Sequence, residues 1–217
     1  MRSRFDEQLK KLSDSLVEMG ALCEKVISLA AQALLTGDHT LSERVPPLDS
    51  EIDQKQREIQ SMSLKLLLHQ QPVARDLRQI SAALKMITDM ERVGDQAADI
   101  AEIISFLGNR TGAECEPIAA MAHETIRMVV GSVEAYVQRD LQAAERVIRH
   151  DDVVDSLFCR VKERLIQLIA AAPDDGEYAV DLLMIAKYFE RIGDHAVNIA
   201  EWAVFSVTGV HNGETEM

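Results

Sequence analysis

The chain has 217 residues, 47% of them hydrophobic, a formal net charge of −13, and only 10 glycines and 5 prolines. That balance leaves no basic stripe for a nucleic-acid surface and sets the chain against an anionic membrane. The paucity of glycine, proline and β-branched runs is that of an all-helical protein.

In chain order, the first predicted helix runs from about Ser3 to Thr36 on the seam Phe5, Leu9, Leu12, Leu16, Met19, Cys23, Val26, Ala30 and Ala33. Its steps of three and four mark one packing face. Gly37 is the expected C-cap and Asp38 the next N-cap. Pro46 and Pro47 interrupt the pattern, so a second long helix is expected from near Pro47 to about His69. Gln70-Gln71-Pro72 breaks the chain again, and Pro72 is expected to open helix three, which ends near Gly108. The run Gly108-Asn109-Arg110-Thr111-Gly112 is a linker. Helix four follows over about Pro117 to Arg139, helix five after an Asp140 cap, and helix six from about Glu177 to Val207, behind the turn at Pro173-Asp174-Asp175-Gly176. The reading is two tandem three-helix bundles, residues 1–109 and 113–209, with a loose tail over 210–217.

The N-terminal sequence lacks the apolar centre of a signal peptide, and no apolar run approaches the ~18 residues of a spanning helix. Cys23, Cys115 and Cys159 form no C-x-x-C pair, which points to a reduced cytoplasm. Cys23 and Cys159 fall on apolar seams and read as core residues. Cys115, in a polar linker, reads as an exposed thiol.

One stretch occurs twice. Glu91–Glu102 reads E-R-V-G-D-Q-A-A-D-I-A-E and Glu190–Glu201 reads E-R-I-G-D-H-A-V-N-I-A-E, 99 positions later. It is an internal repeat. The seam through Leu77, Ile80, Leu84, Ile87, Glu91, Gly94, Ala98 and Ala101 is apolar except for one glutamate, and its second copy behaves alike around Glu190. Asp95 and Asp194 lie one turn further on the same face. A glycine inside a helix costs about 1 kcal/mol against alanine, so Gly94 and Gly193 imply a close approach by a neighbouring backbone or an ion. The second helix of each half repeats the device, with Asp49 and Asp53 in one and Asp151 and Asp155 in the other.

Antiparallel packing brings these pairs face to face, four carboxylates to a bundle. Acids four apart ordinarily mark a solvated face, but these begin on a core seam and recur four times. Internal ion pairing is the competing explanation. Arg92 and Arg191, however, directly follow the glutamates and should point about 100° away. Clustered carboxylates raise one another's pKa and repel, and a di- or trivalent ion removes both penalties. Oxygen ligands suit Mg²⁺, Mn²⁺, Ca²⁺ or iron. His150 and His195 adjoin Asp151 and Asp194 and are expected to be exposed, not ligands. No histidine follows an acid by three residues, so the Glu-x-x-His pattern of di-metal oxidases is absent. No catalytic triad and no phosphate-cradling loop is present, and the chain is not expected to be an enzyme. A metal-dependent helical enzyme and a metal-storage bundle are readings the clustered acids leave open.

The runs Q-P-V-A-R-D-L-R-Q-I and M-E-R-V-G-D, with F-E-R-I-G-D-H-A-V-N-I-A-E in the second half, resemble the PhoU family over Phe5 to about Gly209. The resemblance implies two pseudo-symmetric three-helix bundles and metal ions, often iron, at the acidic motifs. It implies a cytoplasmic homodimer that represses the phosphate-starvation response, linking a phosphate-specific ABC transporter to a sensor histidine kinase. Its metal residues map onto Asp49, Asp53, Glu91, Asp95, Asp151, Asp155, Glu190 and Asp194. The third motif position departs between halves, Asp99 against Asn198, which opens the two sites to different numbers of ions. Glu102 and Glu201 lie ~16 Å along the helix from the glutamates and rank, with Asp99 and Asn198, as secondary ligands.

Overall fold

The computed structural model describes residues 2–70, 73–211 and 214–215. Helix α1 (Arg2–Thr36) buries Leu12, Leu16, Met19, Cys23, Val26, Ala30 and Ala33 completely, the face its spacing defines. Gly37, at φ 69°, ends it by donating its N–H to the Ala33 carbonyl, and the Asp38 carboxylate then accepts from Thr40 N. Here the structure departs from the sequence reading. A one-turn helix α2 (His39–Ser42) comes first, and α3 (Val45–Gln70) starts two residues before Pro47. Prolines lack the N–H that a helix interior needs, so Pro46 and Pro47 fit only in a first turn, and the chain breaks at Glu43 and Arg44 to provide one. The second half has no proline there. Its α6 (Leu141–Ala171) runs unbroken from Asp140, whose carboxylate accepts from Ala143 N at 3.0 Å.

Helix α4 (Ala74–Phe106) completes the first bundle with α1 and α3. The expectation that Pro72 opens it falls outside the described residues. Helices α5 (Cys115–Gln138), α6 and α7 (Gly176–Thr208) form the second bundle. The bundles join through α4 on α7 and α1 on α5. Because they serve two partners, α4 and α7 are buried on two sides. In α4 the seam residues Ile80, Ile87, Gly94 and Ala101 are inside, and so is a second stripe through Met86, Met90, Val93, Ala97, Ile100 and Ile104. In α7 the corresponding stripe is Ile185, Phe189, Ile192, Ala196, Ile199 and Ala203.

The halves are also tied outside the core. Arg110 in the linker pairs with Asp175 at 2.8 Å and lies over the Tyr178 ring. The Tyr136 hydroxyl of α5, in a largely buried ring, donates to the Gln79 carbonyl of α4 at 2.8 Å. That carbonyl keeps its place in the α4 hydrogen-bond ladder when the hydroxyl is removed. Tyr136→Phe should therefore cost only about 1 kcal/mol of stability in a denaturant melt. After α7, Val210–His211 pair with Glu214–Thr215 as β1 and β2, and His211 stacks on Trp202.

Two cysteine expectations are reversed. Cys115 is completely buried at the start of α5, its Sγ 3.6 Å from the Tyr178 hydroxyl, because the helix begins two residues earlier than its proline implied. Cys159 is exposed, one position off the face of α6 that carries Val154, Val161 and Leu165. Cys23 is in the core, its thiol pushed up to about 12 by burial. By length and average composition Phe5–Thr36 is apolar enough to cross a membrane, against the expectation that no stretch came close. Half of its apolar 18-residue window is buried against the other helices, with Lys10, Asp14 and Glu18 exposed on the helix's outer side.

Candidate metal centres

Helices α3 and α4 in one bundle, and α6 and α7 in the other, bring their acid pairs together. Gly94 makes the first meeting possible. A Cβ at Gly94 would stand 2.4 Å from Asp49 Oδ1 and 3.1 Å from Ile52 Cδ1. The glycine admits a neighbouring carboxylate rather than a backbone or an ion. At Gly193 the corresponding approach, to Asp151 Oδ1, is 3.2 Å. Asp49 Oδ1 is buried and has no hydrogen-bond partner.

Burial pushes the Asp49 carboxyl up to about 6, helped by the charges of Asp95, Asp53, Glu91 and Asp99. Asp151 likewise rises to about 6, through burial and then Asp155, Asp194 and Glu190. Glu91, Asp99 and Asp194 are also raised, burial leading in each. The eight primary acids thus form one mutually repelling group per bundle. Asp99 belongs to the first group. Glu102 is exposed and its charge reaches Asp99; Glu201 is half-buried further along α7.

The acids gather without closing on a point. Among the described residues no three His, Cys, Asp or Glu side chains stand close enough to enclose an ion in this arrangement. Cations of the chain itself hold several of them, contrary to the expectation that Arg92 points away. Arg92 lies 3.5 Å from Glu91 and 3.0 Å from Asp95, because its long side chain curls back over the turn. Arg57 approaches Asp53 at 3.8 Å, and Lys187 pairs with Glu190. Thr88 stands at the position in the first half that Lys187 occupies in the second, so each site meets a different internal cation. The donor set, the orphaned Asp49 oxygen and the glycine cradle fit a hard cation that displaces these partners. Asp49, Asp53, Glu91 and Asp95 would hold it in one bundle, and Asp151, Asp155, Glu190 and Asp194 in the other. Such an ion supplies positive charge that returns the carboxyls to their ionised form.

The two histidines expected at the surface are half-buried and paired. His195 Nδ1 lies 2.9 Å from Asp89 Oδ1, which also accepts from Asn198 Nδ2 at 3.1 Å. His150 Nε2 lies 2.6 Å from Glu124 Oε2. Asp89 and Tyr188 occupy equivalent places in the two copies, and the Tyr188 hydroxyl lies beside Asp99. The departure of Asn198 from Asp99 is therefore matched by its partner: aspartate faces asparagine on one side of the α4–α7 contact and tyrosine faces aspartate on the other. Sequence reading passed over Asp89 and Tyr188 because neither lies on an acid-x-x-x-acid pair. Their shared repeat position was the available signal.

The sequence model of the PhoU domain matches residues 16–104 and again residues 118–203. The chain belongs to the PhoU family. A phosphate-specific transport system accessory protein PhoU homolog from Clostridium acetobutylicum is 36% identical over 210 residues, covering 96% of each chain. The homolog of the same description from Synechocystis is 35% identical over 212 residues, covering 96% of this chain and 93% of the relative. The crystal structure of PhoU from Pseudomonas aeruginosa superposes with a TM-score of 0.89 at 29% identity, covering 95% of this chain and all of that one. The phosphate transport system regulatory protein PhoU from Streptococcus pneumoniae superposes at 0.86 with 26% identity, covering 95% and 98%. These relatives are described as accessory or regulatory proteins of phosphate transport systems.

Proposed function

We propose that the chain is an accessory protein of a phosphate transport system that represses phosphate uptake and the phosphate-starvation response, acting between a phosphate-specific ABC transporter and a sensor histidine kinase. In this reading it works in the cytoplasm as a homodimer built from two units, residues 1–109 and 113–209. Each unit binds iron, Mn²⁺ or Mg²⁺, with Ca²⁺ a further fit to the oxygen donors. The observation that carries the reading is the doubled acidic helix pair on a fold that matches regulatory PhoU proteins over nearly its full length. The raised carboxyls of Asp49 and Asp151 support the metal part. A cluster held partly protonated near neutral pH is poised to exchange protons for a cation.

The test is genetic. Deleting the gene in its host should switch on phosphate-starvation genes in phosphate-replete medium, and the wild-type gene should switch them off again. Complementation by Asp49→Asn/Asp151→Asn measures how much of the repression needs the acidic sites. Unchanged expression of starvation genes in the deletion strain would refute the regulatory role.

A further inference from the structure

In the second bundle, α5 and α6 line an open groove of about 480 Å³. A volume of that order suits a small molecule. Its floor is made of small and apolar residues, among them Gly131, Ala135, Ala143 and Val147. A Cβ at Gly131 would come 3.1 Å from Val147 Cγ2, so the helices run close beneath the groove.

The rim is basic in a chain of net charge −13: Arg127 from α5, and Arg146 and Arg149 from α6, line the same space. Each has an acid nearby, Glu124 at 3.1 Å, Asp140 at 3.8 Å and Glu145 at 3.6 Å respectively. The three arginine side chains are 61%, 61% and 66% exposed, so the pairs with Asp140 and Glu145 are water-screened and weak, while Glu124, 19% exposed, is shared between Arg127 and His150. A guanidinium has five N–H donors in a fixed fork, and most remain for a ligand. The acids that line the groove, Glu134 and Asp140, lie toward the α5–α6 turn, while Arg127 and Arg149 lie two to three helical turns away from it.

We propose that this groove binds a phosphate group, with Arg127, Arg146 and Arg149 donating to its oxygens. Three forked donors match the several oxygens of a phosphate better than the two of a carboxylate. Glu134 and Asp140 accept from hydroxyl or amino groups on a phosphorylated small molecule, when the phosphate is part of one. The assignment is independent of the carboxylate sites.

The test is titration calorimetry of the full chain, first dialysed against chelator and then into chelator-free buffer, with inorganic phosphate and with AMP as separate probes. Saturable binding is expected, weakened at least tenfold in Arg127→Ala/Arg149→Ala. It should be unchanged in Arg160→Ala/Arg164→Ala, which removes the same charge from exposed positions further along α6. A melting curve checks that both variants fold. Tighter binding of AMP identifies a phosphorylated small molecule as the ligand class, and equal or tighter binding of phosphate identifies the free anion. No saturable heat with either probe, or equal binding by the Arg127/Arg149 variant, overturns the proposal.

Discussion

Replacing Asp49 and Asp151 together by asparagine should stabilise the metal-free protein at pH 7.5. Both carboxyls sit at about 6 in the folded chain, against an ordinary value of 3.8. The folded state therefore holds these protons more tightly than the unfolded state. Their contribution is fully present below the unfolded value and is lost as pH rises through about 6. Each pKa unit is worth about 1.4 kcal/mol. Discounted for water that reaches these half-buried groups, the loss is on the order of 1–2 kcal/mol per site. Asparagine keeps the shape, and Asp49 Oδ1 has no hydrogen bond to lose. In chelator the variant should melt several degrees above wild type at pH 7.5, with the gap closing toward pH 4. Excess Mn²⁺ should reverse the order, since an ion at a hundred times its Kd stabilises wild type by about 2.7 kcal/mol and the variant lacks a ligand in each site. If the variant is the less stable in chelator at pH 7.5, these carboxylates are held by internal cations and the metal assignment fails.

Gly94→Ala and Gly193→Ala should have opposite signs. Each gains about 1 kcal/mol from helix propensity. At Gly94 the new methyl meets Asp49 Oδ1 at 2.4 Å and Ile52 Cδ1 at 3.1 Å, so the carboxylate must turn away and a buried isoleucine must shift. Overpacking of this kind costs about 1–3 kcal/mol, and the net change is a loss of about 1 kcal/mol. At Gly193 the nearest atoms are 3.2 Å and 3.5 Å away, which small adjustments relieve, leaving a net gain. Urea melts in chelator measure both. Mn²⁺ titration should show the larger loss of affinity in Gly94→Ala, because that change displaces Asp49 itself. Equal stability changes at the two glycines would mean that Asp49 approaches α4 no more closely than Asp151 approaches α7.

The two sites also differ in the cation that guards them. Arg92 spans Glu91 and Asp95 in the first, and Lys187 holds Glu190 in the second. An ion entering either site competes with a side chain already in place, which ties occupancy to the rearrangement of α4 or α7 surface residues.

The sequence by itself determined the helices, their pairing into two bundles and the facing of the acids. Those features rest on periodicity: steps of three and four through Leu12, Leu16, Met19 and Cys23 leave one way to bury a face. The glycine three positions after each glutamate was legible for a related reason, since a costly residue in a helix marks a close contact. Only the tertiary structure decided what the other sides of α4 and α7 do. Met90 and Val93, or Phe189 and Ile192, look like an over-wide apolar stripe until the second bundle is laid against them. The same contact decided that His195 meets Asp89 and that Tyr188 meets Asp99, pairings across about a hundred residues that no local spacing encodes. Side-chain reach was the other hidden quantity. A helix wheel sends Arg92 away from Glu91, but four rotatable bonds bring its guanidinium back, because an exposed cation lowers its energy beside two carboxylates.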